Sequence, residues 1–209
     1  MAIAAPKQAR AHESAAKLLD AAAEVIAERG YRDATLAEIA RRAGYSHGLI
    51  TQKFGSKEGL LEQLLETHTR AWQDAELRPA QEGTIGIEAV VALLDAQRAT
   101  IRTKPEVSRA FLGLLFEALR PVPALAERVQ ALHDEHRRAI AKSLRRGIEA
   151  GTVAADVDPE VVAGLVLSVM RGAAYQWLLD SRFDFDATLA AYSQQLQASL
   201  APPAPRRRR

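Results

Sequence analysis

The sequence predicts an all-α protein, and three observations carry that expectation. Apolar residues recur at three- and four-residue spacing through nearly the whole chain. No segment shows the apolar–polar alternation of a half-buried strand, and no tandem repeat is visible. Prolines at 105, 123 and 159 stand where the first turns of helices would begin. The expected architecture is a three-helix N-terminal head followed by a C-terminal helical bundle body, about nine helices in all.

The first helix is expected over His12–Arg29. A second starts at Thr35, a good N-cap, with Glu38 three residues on completing a capping box. Leu36, Ile39 and Ala40 give it one apolar face, and Arg41 and Arg42 fall outside that face. Gly44 is placed to end it in the left-handed conformation that glycine adopts without steric cost. Ser46 caps a third helix, in which Leu49, Ile50 and Phe54 supply apolar contacts. His47 and Thr51 are four apart and share a face, with Gly48 and Gln52 beside them. That face is small and polar, as an approach to base edges or phosphates requires. Gly55 breaks the pattern, Ser56 caps again, and Lys57 enters the first turn of the next helix.

That fourth helix is expected to run from Lys57 to Leu77, with Arg78-Pro79 through Gly83 as a hinge between head and body. Further helices are expected near Thr84–Thr103, Pro105–Leu119, Pro123–Ala150, Pro159–Leu179 and Phe185–Leu200. Asp158-Pro159-Glu160 is a start signal, and Gly151 ends the seventh helix. The tail Ala201–Arg209 has no core to join and is expected to be disordered. The domain boundaries follow: 1–55 for the arm and head, 56–200 for the body, 201–209 for the basic tail.

Composition narrows the function classes. The chain of 209 residues has no cysteine, which excludes disulfides, thiol catalysis and thiolate metal sites. Its net charge of +2 is a small difference between 28 basic and 26 acidic residues, and most such charges simply solvate helix faces. The N-terminus lacks the apolar core of a signal peptide, and no apolar run of membrane-spanning length is expected, Val161–Met170 being the nearest. The expectation is a cytoplasmic protein with no membrane partner.

Two short capped helices joined at a glycine fit equally a helical hairpin of an ordinary all-α protein and a helix-turn-helix, which reads double-stranded DNA by laying its second helix in the major groove. The wording of this stretch resembles the TetR family of bacterial regulators. The resemblance rests on Ala43-Gly44-Tyr45-Ser46-His47-Gly48-Leu49-Ile50, on Phe54-Gly55-Ser56-Lys57-Glu58-Gly59-Leu60, and on the preceding Glu28-Arg29-Gly30-Tyr31. It covers the first quarter to third of the chain; beyond that, only helical layout and length are similar. Thr51 replaces a customary aromatic and Lys53 a customary histidine or tyrosine. Lys53 then offers a charged phosphate contact in place of the usual one.

The site residues follow. His47 and Gln52 are candidates for base edges, since a glutamine can bond adenine bidentately. Thr35, Tyr45, Thr51, Lys53 and Lys57 are candidates for phosphates, with Ser46 and Gly48 completing the face. Lys57 also lies at a helix N-terminus, where backbone N–H groups favour an anion. Arg206–Arg209 and the Lys7/Arg10 arm would add non-specific affinity or serve as solubilising ends.

On the eighth helix, Gly164, Ser168 and Gly172 recur every four residues and make a ridge of small side chains that admits another helix. Burial within one chain explains that ridge equally well. The resemblance implies pairing of the last two long helices into a four-helix bundle between two copies, a homodimer reading a palindrome. Trp177 and the Leu189–Leu200 face, including Leu196, are then interface candidates. The resemblance also implies a small-molecule effector pocket in the body, with Phe111, Leu115 and Phe116 as apolar candidates and Arg98, Arg171 and Gln176 as polar ones. Ligand would tilt the fourth helix and change the separation of the two heads.

Catalysis and metals are poorly supported. His133 and His136 could share a face as metal ligands, but Glu127, Arg128, Arg137 and Arg138 around them describe a solvated helix. No phosphate loop, nucleophile elbow or zinc motif is present, so neither a cofactor nor an enzymatic role is assigned. The sequence therefore reads as a ligand-responsive repressor. The alternatives are a helical-bundle enzyme and a regulator without an effector.

Overall fold

The computed structural model describes residues 7–119 and 123–203, and among these every regular element is helical. In order they are α1 (Lys7–Asp33), α2 (Leu36–Arg42), α3 (His47–Phe54), α4 (Lys57–Trp72), a π-helical segment (Gln73–Leu77), α5 (Arg78–Gln81), α6 (Gly86–Thr103), α7 (Pro105–Glu117), α8 (Pro123–Glu149), α9 (Pro159–Leu179) and α10 (Phe185–Leu200). Arg206–Arg209 and the side chain of Lys7 lie outside the described residues.

Two compact units emerge, one within residues 1–70 and 106–128, the other within 71–105 and 129–209. The division falls differently from the expected boundary after residue 55. Leu60, Leu61, Leu64 and Leu65 are all buried, so most of α4 takes part in the first unit's core.

In the first unit, α1 packs on α2 and α2 on α3 around Leu18, Val25, Ile39 and Ile50, none of which is exposed. Gly30, at φ 77°, interrupts the helical geometry of α1 before Asp33. Thr35 caps α2 by accepting from the Glu38 N–H at 3.2 Å. The reciprocal half of the expected capping box is replaced. The Glu38 carboxylate instead takes Arg41 at 2.8 Å and Arg29 at 3.5 Å, because two guanidiniums offer stronger partners than one backbone amide.

The end of α2 is a Schellman motif: the Gly44 N–H donates to the Arg41 carbonyl at 3.2 Å and the Tyr45 N–H to Ala40 at 2.8 Å. Gly44 supplies the φ of 76° that this motif needs. Ser46 caps α3 by accepting from the Leu49 N–H, and Ser56 caps α4 by accepting from Gly59.

In the second unit, α6 packs on α10, α9 on α10, and α5 on α6. Asp158 caps α9 by accepting from Glu160 and Val161, and Asp184 caps α10 by accepting from Ala187. The start of α6 crosses α8 backbone to backbone. A β-carbon on Gly147 would fall 2.6 Å from the Cα of Gly86, so neither position has room for a side chain.

The chain does not break at Arg78-Pro79. A proline inside a helix removes one N–H and crowds the carbonyl four residues back. The preceding Gln73–Leu77 widens to π spacing, the Arg78 N–H reaching the Gln73 carbonyl, and Pro79 then opens α5. The turn comes later, at Gly83 with φ 76°.

The second unit also corrects the reading of apolar runs. Counted with its few polar interruptions, α9 is long and apolar enough by length and composition to cross a membrane, at a mean hydropathy of 1.3. One face of it, including Val162, Ala163, Val166, Leu167, Met170, Ala173, Ala174 and Trp177, is buried against the chain.

Candidate nucleic-acid interface

The outer face of α3 carries His47, Gly48, Thr51 and Gln52, all exposed, while Ile50 and Phe54 anchor its inner face. The Thr51 hydroxyl donates to the His47 carbonyl at 3.0 Å. His47 and Gln52 have no such tie among the described residues, and their side chains stand toward solvent from a helix capped at its start and glycine-terminated at its end. Thr35 and Ser46 are exposed at the N-termini of α2 and α3, with their oxygens occupied as caps; Tyr45 is half-buried between those helices.

The two lysines are already engaged. Lys53 Nζ donates to the Ala11 carbonyl of α1 at 2.8 Å. Lys57 Nζ donates to the Arg32 carbonyl at 3.1 Å and sits 4.3 Å from the centre of the Tyr31 ring. Burial there lowers the Lys57 ammonium from its ordinary value, and Tyr31, itself buried, is raised for the same reason. Both lysines thus tie α1 to the helices that follow it. An ammonium has three donors, and each spends one on a carbonyl.

Arg41 and Arg42 are likewise paired. Arg42 forks onto Glu28 at 2.5 and 2.7 Å, and Arg41 onto Glu38. The Arg42–Glu28 fork ties α2 to α1, whereas Arg41–Glu38 lies within α2.

The matches to known proteins follow this geometry. Residues 18–64 match the family described as bacterial regulatory proteins, tetR family. Residues 86–201, more than half of the chain, match the family described as BetI-type transcriptional repressor, C-terminal. The chain belongs to the TetR family. As a TetR-family member it is a DNA-binding transcriptional regulator of the repressor kind.

Among curated relatives, the regulator SrpR of Pseudomonas putida is 27% identical over 175 residues, 81% of this chain and 78% of its own length. BetI of Escherichia coli is 41% identical over 80 residues, covering 36% of this chain and 41% of BetI. Among solved structures, a TetR regulator from Haloarcula marismortui superposes with a TM-score of 0.79 at 21% identity, over 91% of this chain and 99% of that one. FadR of Bacillus subtilis, solved in complex with stearoyl-CoA, superposes with a TM-score of 0.77 at 19% identity, over 88% and 98%. These likenesses show a shared TetR fold.

The body candidates disperse. Arg98 is committed to ion pairs, forking onto Asp186 at 3.0 and 2.9 Å and reaching Asp95 at 2.7 Å, which joins α6 to α10. Gln176 is exposed in a shallow groove with Leu179 and Phe183. Phe111 stacks at 4.5 Å on His68, Leu115 is buried and Phe116 half-buried, all three in the first unit, whereas Arg98, Arg171 and Gln176 belong to the second.

His133 and His136 are not on a solvated surface. Burial, with Arg171 nearby, pushes His133 down to about 4 and His136 to about 3. Arg137 and Asp134 act on His133 from the same helix, but burial and Arg171 of α9 weigh more, which a count of flanking charges does not reveal. No cluster of three or more metal-ligating side chains exists among the described residues.

The expected interface divides in two. Gly164 is half-exposed and Ser168 and Gly172 fully exposed, with open space beyond both glycines. Trp177, Leu189 and Leu196 are buried within the single chain at 7%, 0% and 5% exposure, so they build its core instead. On α9 the exposed apolar residues are Val161, Leu165, Tyr175 and Leu179, of which the sequence reading singles out Leu165 alone. With Ser168 and Gly172 they advance along α9 by alternating steps of four and three, a signal already present in the sequence.

Proposed function

We propose that this TetR-family regulator binds a palindromic operator as a two-fold dimer in the cytoplasm and is released from it by a small molecule held in the second unit. The exposed polar face of α3 carries the reading. His47 and Gln52 would meet base edges, and Thr35, Tyr45, Ser46, Gly48, Thr51, Lys53 and Lys57 would seat the head on phosphates and sugar. The α9 stripe from Val161 to Leu179 supports the dimer: large side chains at its ends and small ones at its middle suit close pairing with an identical helix. No catalytic step is assigned.

A cleft of about 290 Å³ between α5, α6 and α8 supports an effector site. Leu77, Val90, Leu93 and Ile140 give it apolar walls, and Gln81 and Ser143 add polar ones. A coupling of roughly 1–3 kcal/mol between the two sites would switch occupancy by about 5–150-fold.

The test is selection of bound genomic fragments with the purified full chain, followed by footprinting. A protected site with two-fold symmetry and half-sites about one helical turn apart is expected. Protection of a single asymmetric half-site would overturn the dimer reading.

A further inference from the structure

Among the described residues, no carboxylate pairs with Arg171. It lies on the inner face of α9, with Leu167, Met170 and Ala174 buried around it. Among the described residues its guanidinium has one partner: Nε donates to His133 Nε2 at 3.2 Å. A neutral imidazole nitrogen accepts that bond but neutralises nothing. The acid nearest in sequence to His133, Asp134, is engaged by Arg137. Burial unrelieved by any carboxylate pulls the guanidinium down to about 10.

One turn along α8, both ring nitrogens of His136 are shut away from solvent with no hydrogen-bond partner. Buried polar groups are nearly always paired, so two orphaned nitrogens beside an uncompensated guanidinium are an anomaly that a ligand would resolve. The Trp72 ring stands edge-on to His136 at 6.4 Å, held by its indole N–H donating to Thr100 at 2.9 Å. The same His136 forms part of the wall of the cleft lined by Leu77, Val90 and Leu93.

We infer that the effector is an amphipathic carboxylate: its anionic head docks on Arg171 with His133 and His136, and its apolar remainder lies in the cleft beside His136. Arg171 supplies charge and a planar fork matched to carboxylate geometry. His136 supplies an N–H that has no protein acceptor. This assignment rests on the effector-responsive reading above and names its ligand class. Arg171 is half-buried against a neutral imidazole, beside two orphaned ring nitrogens of His136, and a carboxylate completes all three.

The test uses the full chain and four probes: octanoate, acetate as an anion without an apolar tail, octanol as its neutral counterpart, and octyltrimethylammonium as its cationic one. Binding is read from the ring ¹⁵N resonances of His133 and His136. Octanoate is expected to move both, acetate to move them at higher concentration, and the neutral and cationic probes to leave them unchanged. Arg171→Met should weaken octanoate at least tenfold, and Arg171→Lys, which keeps the charge but loses the fork, by a smaller factor.

The proposal is overturned if neither anion moves these resonances, if octanol acts as octanoate does, or if Arg171→Met binds within twofold of the parent. The wild-type comparison of probes stands even if the methionine variant fails to fold. DNA binding by the probe-free protein, measured on the same preparation, separates failure here from failure of the regulator reading.

Discussion

A β-carbon at Gly59 would lie 2.3 Å from the carbonyl oxygen of Phe54. The last turn of α3 and the first turn of α4 therefore touch through a hydrogen atom, and the direction in which α4 leaves the head depends on that vacancy. Gly59→Ala must push the two turns apart. The expected cost is about 1–3 kcal/mol of stability, with operator affinity falling further because α3 is displaced. Denaturant unfolding and DNA titration on the same variant check this; an alanine tolerated at full stability would refute the close contact.

Gln52 and Lys57 should separate readout from anchoring. Gln52→Ala is expected to leave stability unchanged and relax preference at one operator position by about 1–3 kcal/mol. Lys57→Ala loses the bond to the Arg32 carbonyl and the contact with the Tyr31 ring, so it should cost about 1 kcal/mol of stability besides lowering the salt slope by about 1. Melting curves and salt titrations distinguish the two patterns.

Leu165 and Trp177 lie on opposite faces of α9, and their substitution should fail in different ways. Leu165→Glu places a charge on the exposed stripe and is expected to yield folded monomers in sedimentation or light scattering. Trp177→Ala empties a core position and should cost about 3–5 kcal/mol in unfolding. Dimers that persist in Leu165→Glu would move the interface elsewhere.

Acid should destabilise the second unit. His133 and His136 ordinarily titrate near 6.5 but are held to about 4 and about 3 when folded. The unfolded chain therefore takes up protons that the folded one refuses. Stability is intact above pH 6.5 and falls as pH drops toward 4, with a limiting slope of roughly 1.4 kcal/mol per pH unit for each histidine. Thermal melts of the parent and of His136→Phe across that window should diverge, the variant losing less. Parallel curves would show that His136 titrates normally.

Local chemistry made most of the head legible. Thr35, Gly44, Ser46 and Gly55 act through their own backbone neighbourhood, so the helices they bound could be placed from short stretches of sequence. Long-range commitments could not be read that way. Lys53 reaches Ala11, and Arg98 reaches Asp186, across separations that leave no periodic trace. The same limit explains the body. His133 looked solvated because its charged neighbours are adjacent in sequence, yet it is partly buried and its hydrogen-bond partner Arg171 comes from another helix. Trp177 looked available for a partner because burial by α6 and α10 is invisible along α9 alone.

The crossing of Gly86 and Gly147 has a mechanical consequence. Two helices that meet through backbone atoms have no rotamers to rearrange at the point of contact, so they cannot slide past one another there without a collision of main chains. What remains is pivoting. A molecule entering the cleft between α6 and α8 would spread them as the blades of a pair of scissors spread about their rivet, with the greatest travel farthest from Gly147. His133 and His136 lie about three to four turns along α8 from that crossing, so a small opening at the rivet becomes a larger one where the carboxylate is proposed to dock.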